Sequence, residues 1–281
     1  MLRRIVHNDP MTSLRRQWPR LILLAAFVCS APLAAQTGAR PVRVLFLGNS
    51  YTYVNNLPEM FARLADAGRH PVETDMRAPG GWRLEDHWNK PDDRAAVRDG
   101  HWDFVVLQDQ STLGVDTVID GKARVTSDRV FRPSADRWAT EIAAAGARTL
   151  FYLTWARRAS PEDQAVLTDA YTQAAKANHA LVVPVGIAWS EIRQTRPGLV
   201  LFLDDGSHPS PAGTYLAACT FYAAIFNANP SGLPSKISGT PVALETGLPD
   251  RGMTAVLVDL SPGDAAALQA AAWKAWLAVR Q

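Results

Sequence analysis

The chain has 281 residues, 47% of them hydrophobic and 20% charged, enough length and apolar content to bury one full-sized core with a small appendage. The formal net charge is +2, and several of the basic residues responsible precede position 21, in a segment expected to be removed. The mature protein is then near neutral, which argues against a nucleic-acid binder on electrostatic grounds. The two cysteines, Cys29 and Cys219, allow neither a disulfide framework nor a cysteine-based metal site.

The first element is a leader. The stretch 21–28 is apolar, follows the basic residues Arg15, Arg16 and Arg20, and runs into Ala31, Ala34 and Ala35. This is the pattern of a secretory signal peptide, read here as residues 1–35. Counted from Met1 its basic region is long and contains Asp9 and Pro10, whereas a start at Met11 gives an ordinary one. The apolar run is roughly half the length of a membrane span, and no later segment approaches about 20 apolar residues. The expectation is an exported protein, periplasmic or secreted, with no stable membrane insertion after cleavage. Cys29 follows Phe27 and Val28 rather than small residues, which argues against a lipid anchor. Cys219 lies in the apolar run 215–225 and reads as a buried core residue rather than a reactive thiol.

Apolar runs at 42–47, 72–76, 104–107, 149–153 and 181–185 read as strands, and most of the segments between them carry helical patterns; the helical candidates are 58–67, 134–145, 161–178 and 211–227. Ser160 followed by Pro161 and Glu162 reads as a capped start of the third helix. Such alternation predicts a parallel sheet with crossover helices, an α/β fold built as a three-layer α/β/α sandwich. Its strands deliver their carboxyl ends to one edge, where ligands bind in open α/β sheets. The segment 113–133 has mixed charge and no clear period and is expected to be a loop over that edge or a surface excursion. Beyond the main domain, placed at 36–228, the part 229–281 is rich in Pro, Gly and Ser until Ser261 and Pro262 open an Ala-rich helix ending near Val279. It is expected to be a strand-loop-helix extension packed on the same domain.

Two motifs carry chemistry. The first strand runs into Gly48-Asn49-Ser50-Tyr51-Thr52, so the Ser50 hydroxyl stands just past a strand terminus, where a nucleophile belongs. An α/β-hydrolase elbow needs glycine where Thr52 stands, which disfavours that superfamily. Alone, Gly-x-Ser after a strand is also compatible with a capped turn or a phosphate-cradling loop. Far downstream, Asp205 and His208 lie three residues apart in Asp204-Asp205-Gly206-Ser207-His208-Pro209. That spacing lets the carboxylate reach the imidazole Nδ1–H and leaves Nε2 to take a serine proton. The competing reading is a polar loop whose Asp caps the next helix.

Together these motifs resemble the SGNH hydrolase superfamily, whose nucleophile follows the first strand in a Gly-Asp-Ser or Gly-Asn-Ser turn and whose last block is Asp-x-x-His. The resemblance spans roughly residues 42–227 and implies a flavodoxin-like sandwich with a five-stranded parallel sheet. It also implies roles: Ser50 attacks an ester carbonyl, His208 is general base and then acid, and Asp205 orients His208. Oxyanion donors are implied at the N–H of Ser50, at Gly80 or Gly81 after the second strand, and at a side-chain amide after the third. Where the family usually has Gly-x-Asn-Asp, this chain has Gln108-Asp109-Gln110-Ser111. Either Gln108 or Gln110 supplies a carboxamide, and Gln108 is preferred because Gln-x-x-Ser is similar to the carbohydrate-esterase branch.

Asn49, Tyr51, Trp82, Trp88 and Trp155 are candidate substrate-binding residues, and His87 lies among the same aromatics; core packing is the competing fate of each tryptophan. His101 and His179 read as structural or surface positions. No histidine or carboxylate spacing fits a metal, so neither metal nor cofactor is expected. The reading is a serine esterase acting on carboxylic, foremost O-acetyl, esters of a small molecule or carbohydrate. Its rivals are a noncatalytic carbohydrate- or phosphate-binding module on the same fold and an acyltransferase using the same triad. Because His208 acts as base only when neutral, hydrolysis is expected to rise with pH through its titration.

Overall fold

The computed structural model describes residues 40–280; the expected signal peptide, residues 1–35, lies outside them. Strand β1 (Val42–Leu47) is followed by α1 (Ser50–Tyr53) and α2 (Leu57–Ala67), then by β2 (Val72–Arg77), α3 (Leu84–Trp88) and α4 (Pro91–Asp99). Next come β3 (Phe104–Leu107), a hairpin of β4 (Thr117–Ile119) and β5 (Lys122–Arg124), α5 (Phe131–Ala144) and β6 (Arg148–Tyr152). A 3₁₀ turn (Pro161–Asp163) leads into α6 (Gln164–Ala177), followed by β7 (Leu181–Val183), α7 (Val185–Thr195) and α8 (Pro211–Phe226). The chain closes with β8 (Lys236–Gly239), β9 (Val242–Ala243), β10 (Leu248–Pro249), β11 (Ala255–Asp259) and α9 (Pro262–Val279).

The central sheet is parallel and five-stranded, ordered β2-β1-β3-β6-β7. The chain therefore reverses direction across the sheet beside β1, the switch point at which flavodoxin-like sheets open a crevice. Alternation along β1 serves two cores. Val44 and Phe46 join the core of α2, α7, α8 and α9, whereas Leu45 and Leu47 join that of α3, α4, α5 and α6. Because β3 is buried on both sides, it reads Phe-Val-Val-Leu without a polar break. The edge strand β2 instead carries Glu73, Thr74 and Asp75 and is largely half-buried.

Register fixes the site. Leu47 pairs with Arg77 on one side and with Leu107 on the other. The loops starting at Gly48, Ala78 and Gln108 consequently leave the sheet side by side. They are tied by Gly48 N–H to the Arg77 carbonyl at 3.0 Å and by Gln108 N–H to that of Leu47 at 2.9 Å.

Helix α8 explains the C-terminal part. Thirteen of its residues are buried, so it has no polar face. It is covered by α2 and by α9, whose Ala265, Leu268, Ala272 and Trp276 join the same core. Buried Gln269 clamps this layer: its amide donates to the Tyr215 hydroxyl at 2.7 Å and the Leu233 carbonyl at 2.9 Å, and its oxygen accepts from Gly232 N–H at 3.0 Å. Cys219 lies in α8 fully buried, and burial pushes its thiol pKa up.

The structure departs from the sequence reading at several places. The Ser160 side chain caps nothing; its hydroxyl donates to the Ala123 carbonyl at 3.4 Å, and the helix begins with a 3₁₀ turn. Helix α5 starts at Phe131, ahead of the expected 134. Helices α1, α3, α4 and α7 are additional to the expected ones. The segment 113–133 contains the β4–β5 hairpin, anchored by Asp163, which accepts from the Arg124 guanidinium at 2.7 Å and from Val125 N–H at 2.8 Å. Among the described residues no helix is long and apolar enough to cross a membrane, and no cluster of His, Cys, Asp or Glu could hold a metal ion.

Candidate active site

Ser50 opens α1 just after β1. Asn49 caps that helix, its side-chain oxygen accepting from Tyr51 N–H at 3.1 Å. The turn is tight: a Cβ on Gly48 would stand 2.4 Å from Thr52 Oγ1 and 2.5 Å from Gln108 Oε1, so only glycine fits there without displacing them. The Ser50 side chain meets the loop before α8, where His208 Nε2 lies 2.8 Å from Ser50 Oγ. His208 Nδ1 is hydrogen-bonded to Asp205 Oδ2. An ionised carboxylate can only accept, so Nδ1 carries the hydrogen and Nε2 is the acceptor for the serine hydroxyl.

Asp205 is held in turn by its own loop, Oδ1 accepting from Ser207 N–H at 2.8 Å and His208 N–H at 3.0 Å. Burial opposes its ionisation, but the His208 ring and these two N–H donors outweigh it and hold the carboxyl below its usual range. The loop is braced from beneath. Trp155 Nε1 donates to the Ser207 carbonyl at 3.0 Å, and its ring stacks on those of Tyr51 (4.7 Å) and Trp189 (3.8 Å). The Tyr51 hydroxyl is 2.7 Å from Ser207 Oγ, and its ring meets that of His208 edge-on at 5.7 Å.

A cavity of about 300 Å³ opens over Ser50 and His208, lined further by Gly80, Gly81, Gln110 and Arg157. The N–H groups of Ser50, Gly80 and Gly81 form no hydrogen bond with the described residues, and all three residues line this cavity. Gly81 sits at φ +74°, a left-handed turn that suits glycine. Gln110 borders the same space with its amide nitrogen uncommitted, its oxygen being engaged by Thr112 N–H and Oγ1, both at 2.6 Å.

Gln108, the preferred oxyanion donor, requires correction. It is fully buried and does not line the cavity. Its oxygen accepts from Asn49 N–H at 2.9 Å and Thr52 Oγ1 at 3.0 Å, and its nitrogen donates to Asn49 Oδ1 and the Asp109 carbonyl. It shapes the Ser50 turn from behind. The tryptophan wall is corrected in two places. Trp155 is buried under the loop, and Trp88 is half-buried, packing edge-on to Trp138 of α5 at 5.2 Å. Trp82 borders a separate cavity of about 270 Å³ with Pro79 and Leu248, while its carbonyl accepts from the Asn49 amide at 2.8 Å. Asn49 and Tyr51 border the Ser50 cavity, but their polar groups are engaged within the protein. His101 and His179 are exposed.

Sequence reasoning missed two features. Arg157, shortly after β6, reaches the cavity; its only signal is a basic residue beyond a strand terminus. His87, grouped with the aromatics, is fully buried between Asp93, 2.7 Å from its Nδ1, and the Gly48 carbonyl, 2.7 Å from its Nε2. Nothing in the spacing of His87 and Gly48 announces that contact.

No protein-family model matches the sequence, and no curated protein does. Among solved structures, a protein of Slackia heliotrinireducens classed with the SGNH hydrolases is 30% identical, with 66% of this chain covering 99% of that one at a TM-score of 0.55. The chain belongs to the SGNH hydrolase family. A DUF4886 family protein from Bacteroides uniformis shares the fold at 20% identity, with 84% of this chain and 95% of that one covered and a TM-score of 0.60. An acetylxylan esterase from Geobacillus stearothermophilus does so at 15% identity, with 64% and 92% covered and a TM-score of 0.52.

Proposed function

We propose that the protein is a carboxylic ester hydrolase working through an acyl-serine intermediate, with Ser50 as nucleophile, His208 as base and then acid, and Asp205 as its orienter. The single observation carrying this reading is the hydrogen-bonded chain from Ser50 Oγ through the His208 ring to Asp205. In the first step His208 Nε2 takes the serine proton as Oγ bonds to the ester carbonyl carbon. The tetrahedral oxyanion is met by the N–H of Ser50, the N–H groups of Gly80 and Gly81, and the Gln110 amide. His208 returns the proton to the departing alcohol, and water repeats the sequence to release the acid.

The acyl group in this proposal is acetyl, on a sugar or other polar alcohol. The cavity is lined by Gln110, Ser111, Arg157, Ser207 and tyrosines, with no aliphatic side chain to seat a long acyl chain. Export belongs to the same proposal and rests on the sequence of residues 1–35; an N-terminus at Gln36 in protein recovered outside the cytoplasm tests it.

The central test is release of acid from p-nitrophenyl acetate and acetylated xylan by the purified protein, beside Ser50→Ala and His208→Ala. Loss in both variants is expected. Activity that survives Ser50→Ala sinks the mechanism, and a folded wild type inert on both substrates favours the noncatalytic binding module.

A further inference from the structure

The guanidinium of Arg157 borders the cavity beside Ser50 and His208, and the proposed ester chemistry gives it no task. Its Nε and Nη2 both donate to Ser111 Oγ, at 3.1 and 2.8 Å. A guanidinium carries five N–H donors in a planar fork that matches a carboxylate. Here two sides of the fork meet one neutral hydroxyl, and Nη1 has no acceptor among the described residues. Nor does Arg157 form an ion pair there, in contrast to Arg124, which is bound by Glu162 and Asp163. The charge of this half-buried guanidinium beside Ser50 is thus left free for an external anion.

A second observation extends this. A neighbouring cleft of about 400 Å³ shares Arg157 and adds Lys122 and Arg158 to its walls. The one carboxylate lining it, Asp205, faces His208 and leaves these cations in excess. The space leading away from Ser50 on this side is therefore cationic.

We propose that Arg157 binds a carboxylate on the alcohol half of the ester, so that the preferred substrates are O-acetylated acidic sugars such as uronates. The inference rests on the esterase reading above. An acetyl group carries no charge of its own, which leaves the anion to the sugar. In the complex the carboxylate takes the uncommitted N–H groups of the fork, while Ser111 keeps the side chain turned toward Ser50. Further acidic sugars of the same chain would lie toward Lys122 and Arg158.

The test compares p-nitrophenyl acetate, an O-acetylated methyl galacturonide and the matching O-acetylated methyl galactoside in wild type, Arg157→Lys and Arg157→Gln. Binding of free galacturonate and galactose to Ser50→Ala, with and without Arg157→Gln, is measured by calorimetry. Charge-assisted hydrogen bonds of this kind give about a ten- to hundredfold preference for the acid, carried by KM and weakened by salt. Arg157→Gln is expected to abolish that preference and Arg157→Lys to restore part of it. Equal rates on both sugars in wild type, or an equal loss on both in Arg157→Gln, overturns the proposal. Hydrolysis of p-nitrophenyl acetate with neither sugar ester cleaved also overturns it while leaving the esterase intact. Inertness toward all three substrates overturns the esterase reading instead, and galacturonate binding that ignores Arg157 then removes the carboxylate seat as well.

Discussion

The imidazole of His87 donates from Nε2 to the carbonyl of Gly48 at 2.7 Å, two residues before Ser50. A carbonyl can only accept, so this contact fixes a hydrogen on Nε2, and the second contact, from Nδ1 to Asp93 at 2.7 Å, is bridged by a proton from either partner. The pair is buried and grips the Ser50 turn from inside α3 and α4. His87→Ala leaves the Gly48 carbonyl and the Asp93 carboxyl without their partner, at a cost of about 1–3 kcal/mol in stability for each orphaned group. As His87 lies outside the cavity, kcat is expected to fall more than KM rises. Denaturant midpoints with steady-state kinetics check this, and an unchanged kcat in folded protein counts against a positioning role.

Gln110 and Gln108 are expected to separate cleanly. Gln110→Ala removes an amide that borders the cavity and lowers kcat by about a hundred- to a thousandfold with little change in melting temperature. Gln108→Ala empties the bracket behind Asn49 and Thr52 and lowers the melting temperature itself. Thermal melts beside p-nitrophenyl acetate kinetics read both effects.

Asp109 is fully buried, and burial raises its carboxyl pKa to about 7. In the unfolded chain it returns to its ordinary, more acidic value, so between the two the folded state holds the extra proton. Stability is therefore lost as pH rises from about 4 toward 7, by something on the order of 4 kcal/mol. Asp109→Asn cannot ionise. Its denaturant midpoint relative to wild type is expected to climb over that interval, and a flat difference refutes the assignment.

Asp205 works in the opposite sense. Its folded carboxyl lies below the ordinary value, so its contribution is present above that value and fades as pH falls through the folded one. Asp205→Asn is expected to lower kcat by about a thousand- to ten-thousandfold through loss of the correct His208 tautomer. It should also flatten the acid limb of the stability profile, which chemical denaturation across acidic pH measures.

What the sequence makes legible follows the strength of local pattern. The apolar strands and the Gly-x-Ser and Asp-x-x-His blocks stand in the chain as written, and the register of Leu47 with Arg77 and Leu107 brings three of the site's loops together. Short helices such as α3 and the polar α4 lack a long apolar period and give no comparable signal. The choice between Gln108 and Gln110 is not legible, because the residues leave a strand end in a turn whose shape alone decides which side chain enters the cavity. Trp155 is misplaced by sequence for a related reason: closeness to a catalytic loop does not say whether a side chain lies above it or beneath it.

Helix α8 is apolar on all sides, and part of its cover, α9, comes later in the sequence. Synthesis from the N-terminus therefore leaves the part of α8 that α9 covers exposed until α9 has itself been made. A nascent form with α8 made and α9 still missing is the natural client for a holding chaperone.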